Sequence, residues 1–168
     1  MAEWAKKQAV GVSATDAQHA LNIYFEEADP VNGSDFGMQG FVYKKIFDAG
    51  VATVLGCPVG DVAAAGGGTV TPDISDVNAG AIKGRGGGLT TFVTALNVTA
   101  YGWVQNVGYT RYSTITTGAV AAEADLEWTD DLTIAAFTNA KWIFGKARVA
   151  AAGTPLRIAA GGVMLFGN

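Results

Sequence analysis

From Phe41 to Phe166 the sequence falls into short runs filled with β-branched and aromatic residues, and Gly, Asn, Asp or Pro separates most of them. The runs are "FVYKKIF" (41–47), "VATVLG" (51–56), "GTVTPDIS" (68–75), "LTTFVTALNVT" (89–99) and "YGWVQNVGY" (101–109). "STITTGAVA" (113–121), "DLTIAAF" (131–137), "KWIFGKARV" (141–149) and "PLRIAAGGVMLF" (155–166) complete the series. Such residues suit a pleated, half-buried surface, and turn residues at this spacing leave no room for crossover helices. The cadence is that of a β-sandwich or barrel, not of alternating strands and helices. A chain of 168 residues holds one domain with a real core and is short for two. The expected fold is therefore all-β: a single sandwich or barrel-like domain over 36–168, preceded by an extended N-terminal arm, 1–35.

The arm reads differently from the body. It holds the only histidine, His19, and the acids Glu26, Glu27 and Asp29 ahead of Pro30. "LNIYFEE" sets Leu21, Ile23 and Phe25 against Asn22, Tyr24 and Glu26, the period of a half-buried strand. Ser13 or Thr15 could instead cap a short helix over 16–21. The arm is read as extended with one strand, and the turn-rich "DPVNGSDFG" (29–37) as its hinge to the body. In "GAIKGRGGG" (80–88) four glycines crowd around Arg85, which predicts a loop at the rim of the sheet and excludes a helix or central strand.

Composition narrows the function. Charged residues are 15% of the chain, against about 25% in an average soluble domain, and 23 glycines are about twice ordinary usage. A formal charge of −4 argues against a nucleic-acid partner, which would call for a basic face. The single cysteine, Cys57, forms no intrachain disulfide and reads as a small buried hydrophobe. "MAEWAKKQAV" has lysines but no apolar run behind them, so no secretion signal is expected. No uninterrupted apolar stretch reaches 18 residues; the tail from Ala147 is broken by Arg148 and Arg157, so no membrane partner is expected.

Tests for chemistry return little. A nucleophile needs a neighbouring base, and only His19 is available, in the arm. Zinc needs three or four Cys or His ligands, and the chain offers one of each. "EADLEWTDD" (123–131) places Glu123, Asp125 and Glu127 on one side of a strand, but lacks the turn glycine and closing glutamate of a calcium loop, so a solvated polar face is expected. Any two carboxylates could meet in space for glycoside hydrolysis, yet most acids here fall in turns or beside other acids. Lys83 and Arg85 sit in the glycine-rich loop, but a strand pattern follows where a phosphate loop requires a helix. "NVT" (97–99) matches a glycosylation triplet inside an apparent strand and is discounted. The expectation is a non-enzyme with no cofactor and no metal.

What stands out is "AYGWVQNVGYTRY" (100–112). Extended, it puts Tyr101, Trp103, Gln105, Val107 and Tyr109 on one face and Gly102, Val104, Asn106, Gly108 and Thr110 on the other. A carbohydrate-binding strip would use such a row of exposed rings. The alternative is that the rings pack in a core or between subunits, since large aromatic side chains dominate both. The second reading is preferred, with a sugar-binding β-sandwich module as the rival.

The order of "VGDVAA" (59–64), a variable acidic piece, "GAIKGRGGG", "YGWVQNVGY" and the closing "GKARVAAAGTPLRIAAGGVMLF" resembles the small cement or decoration proteins of tailed-phage capsids. The matching residues are Tyr101, Gly102, Trp103, Val104 and Gln105, then Gly145, Ala147 and the tail from Val163 to Phe166. The resemblance covers 41–168; "EADLEWTDDL" replaces an Ala-Gly-Asp turn of that pattern, and residues 1–35 match nothing in it. It implies a catalytically inert protein of the virion, made in the host cytoplasm, which binds the major capsid protein on the outer head surface and bridges neighbouring subunits. It also implies a homo-oligomer, a trimer being expected. A weakly charged, apolar β-domain suits permanent interfaces, and closed threefold symmetry would hide strand edges between copies. An arm can cover much neighbouring surface, with Trp4 as its anchor. The expected interface residues are Trp4, Tyr101, Trp103, Tyr109 and Phe166.

Overall fold

The computed structural model describes residues 12–13, 23–27, 38–46, 50–62, 69–77, 86–94, 100–138 and 143–166. The strands are β1 (Val12–Ser13), β2 (Ile23–Glu27), β3 (Met38–Ile46), β4 (Pro58–Asp61), β5 (Thr69–Thr71), β6 (Gly86–Thr90) and β7 (Ala100–Tyr109). They continue with β8 (Thr114–Thr116), β9 (Asp125–Asp130), β10 (Thr133–Ala136), β11 (Ile143–Ala147), β12 (Arg157–Ile158) and β13 (Val163–Phe166). A four-residue helix, α1 (Ile74–Val77), follows β5.

The fold is all-β, and its centre is a closed barrel. β3 pairs with β7 and β5, β5 with β4, β4 with β6, and β6 returns to β7. Closure removes the open edges that a flat sheet would leave. Ile46, Val59, Val70 and Val104 pack inside it with Phe92. Outside the ring, β13 joins β7, and β11, β9, β10, β8 and β12 extend the sheet in that order. These outer strands build a second core, in which Leu126, Ile134, Phe144, Val163 and Leu165 meet Leu89 of β6. The strand read over "LNIYFEE" is β2, paired antiparallel along β3 from Ile23↔Val42 to Glu27↔Met38. Ser13, considered as a helix cap, lies in β1, which pairs with β7. The hinge read over 29–37 lies outside the described residues.

Among the described residues several segments depart from the sequence reading, including 91–94, since the strand expected over 89–99 ends at Thr90. Gly86–Gly88, expected in a rim loop, open β6: Gly86 and Gly88 pair with β4, and Leu89 and Thr90 beyond them pair with β7. Val51–Gly56, read as a strand, forms no regular ladder: threonine side chains supplement a few backbone bonds, such as that from the Gly56 N–H to the Thr90 carbonyl at 2.9 Å. Thr53 and Thr94 each accept the other's backbone N–H on their hydroxyls, at 2.8 and 3.2 Å, and Thr90 Oγ1 donates to the Val54 carbonyl. The run 68–75 stops being a strand at Thr71, because Pro72 has no N–H to give a ladder. Asp73 then accepts the Ser75 N–H at 2.9 Å, and Asp131 accepts that of Ile74 at 2.8 Å, which satisfies the start of α1. Cys57 is buried with its Sγ 3.3 Å from Thr90 Oγ1, in keeping with a small packed side chain.

Candidate functional site

Among the described strands β7 has the most partners. β3 runs along one edge from Ala100 to Val107. The other edge is shared: β1 takes Tyr101 and Gly102, β6 takes Val104 and Gln105, and β13 takes Val107 to Tyr109. The alternation expected for this strand breaks at Asn106. Phe41 opposes Gln105 while its neighbour Gly40 opposes Val107, so one extra residue is inserted in β7. Residues opposed in an antiparallel pair share a face, so Tyr101, Trp103 and Gln105 point one way and Val107 and Tyr109 the other.

A pair of buried carboxamides holds that bend. Gln105 Nε2 donates to the carbonyls of Tyr109, at 2.7 Å, and Val107, at 3.3 Å, while its Oε1 accepts the Arg111 N–H at 2.9 Å. Gln39 Nε2 adds a second bond to the Tyr109 carbonyl at 2.6 Å. Replacing Gln105 by Met keeps the volume but removes the acceptor of the Arg111 N–H. Because that site is buried, Gln105→Met should lower stability by about 1–3 kcal/mol, measurable by chemical denaturation.

On the first face the rings are buried. Trp103 is 4% exposed, Tyr43 and Phe41 are equally enclosed, and Tyr101 packs half-buried against them. Tyr43 opposes Trp103 in the ladder, and their rings meet edge-on with centroids 5.1 Å apart. Tyr43 stacks on Tyr101 at 6.4 Å, and the Arg111 guanidinium lies 5.7 Å from the Phe41 centroid. Phe41 and Tyr43 were not among the expected site residues; the alternation in "FVYKKIF" carried the signal. The expected row of rings is thus split, and Trp103 offers no open face to a sugar.

The second face is where two of the expected interface residues converge. Tyr109 opposes Met164 and Val107 opposes Phe166, while Leu165, between them, turns into the core. Phe166 is 47% exposed, and Val107, Tyr109 and Met164 are half-buried. Lys146 opposes Met164 on the next strand and pairs with Asp125 at 3.5 Å, which puts a charged border beside the apolar patch. Val107 was expected on the face of Trp103 and the bulge at Asn106 turns it to the other, where the register of β13 brings Met164 opposite Tyr109. Trp4 lies outside the described residues.

The acidic segment also departs from expectation. Asp125 is half-buried and Glu123 is exposed and paired with Arg148 at 3.1 Å, but Glu127 is buried. Its carboxylate accepts the Thr138 N–H at 3.1 Å and the Thr138 hydroxyl at 2.8 Å, which replaces the water a solvated face would supply. Among the described residues no three His, Cys, Asp or Glu side chains gather as a metal site would require. His19, Lys83, Arg85 and the "NVT" triplet lie outside them. Comparison of the chain with protein-family models, with curated proteins and with solved structures finds no match.

Proposed function

We propose that this chain is a structural virion protein, a cement or decoration protein that binds the outer surface of a tailed-phage head and bridges neighbouring capsid subunits. The phage assignment rests on the resemblance of the Tyr101–Gln105 strand and the closing tail. Assembly through this fold rests on one observation above all, the outward apolar face at which Phe166 stands 47% exposed beside Val107, Tyr109 and Met164. A contiguous apolar patch rimmed by charge is the usual mark of a protein contact. The major capsid protein and further copies of this chain are the partners proposed for it.

Phe166→Ser tests the reading. Half its ring is already in water, so the variant should fold with a stability loss of about 1 kcal/mol or less. Its attachment to capsids assembled from the cognate major capsid protein should weaken at least tenfold, or about 1.4 kcal/mol. Sedimentation analysis of the unmodified chain should show an oligomer. A strict monomer whose Phe166→Ser variant decorates capsids normally would refute the proposal.

A further inference from the structure

We draw no further inference here: the strongest candidate, the apolar tip at one end of the barrel where Leu55 and Val93 stand exposed on the hydrogen-bonded segments 53–57 and 90–94, is a surface patch with nothing in the structure to show what covers it.

Discussion

Gly88→Ala should leave no folded protein, or one weakened by more than about 4 kcal/mol. Two independent demands fall on this residue. Its φ of +138° lies where L side chains are rarely found, which alone costs on the order of 1–3 kcal/mol. A Cβ built there would also run into the carbonyl oxygen of Gln105 on the neighbouring strand, with the Gln105 carbonyl carbon only 2.8 Å away. Neither obstacle is a flexible side chain that could swing aside. To make room, β6 must move off β7, and β6 is the strand that closes the barrel between β4 and β7. Leu89 would move with it, and Leu89 belongs to the core of the outer strands, so the disturbance reaches both halves of the fold. Gly118→Ala is the matched control. No atom lies within 4 Å of its Cβ position and its φ is not positive, so it should be neutral or gain up to about 1 kcal/mol. Soluble yield and a urea melt separate the two. A Gly88→Ala protein that melts like the parent would mean that β6 and β7 do not approach as described.

This same glycine shows where the sequence was legible and where it was not. Strands with one buried face announce themselves by alternation, as Phe41, Tyr43 and Trp103 do, because each apolar side chain lies two residues from the next. Gly86–Gly88 carry no such signal: their place in β6 depends on pairing with β4 and on the close approach of Gly88 to Gln105 of β7, which no local pattern reports. Closure of the barrel is invisible for the same reason, since β3 meets both β5 and β7 at long range. For the candidate site, the strand was readable but its faces were not. One inserted residue at Asn106 sent Tyr109 away from Trp103 and towards Phe166, and the carboxamides that hold the insertion come from two different strands. Glu127 reads as solvated until Thr138 is folded against it, eleven residues away along the chain.

Trp103→Ala should cost about 3–5 kcal/mol of stability, the range for removing a large aromatic from a packed core. The ring is 4% exposed, and its removal takes the edge-on partner from Tyr43 and opens a void beside Phe41 and Tyr101. Part of the structure at this position should survive, because the Thr91 hydroxyl bonds the Trp103 carbonyl at 2.8 Å, independent of the side chain. Trp103→Phe keeps an aromatic in the site and should recover about half of the loss. This series separates the two readings of the aromatic strand by size of effect. A ring on an open ligand wall holds little of the fold together, so its truncation would lower stability by less than about 1 kcal/mol and abolish binding instead. A buried ring does the reverse: the denaturation midpoint falls steeply, and attachment falls only as far as folded protein is lost. The informative measurement is therefore a melt of Trp103→Ala beside one of Phe166→Ser. A deep loss in the first, with a shallow loss and failed attachment in the second, places the fold in one aromatic group and the contact surface in the other. Equal, shallow losses in both would return the whole strand to the surface and with it the sugar-binding reading.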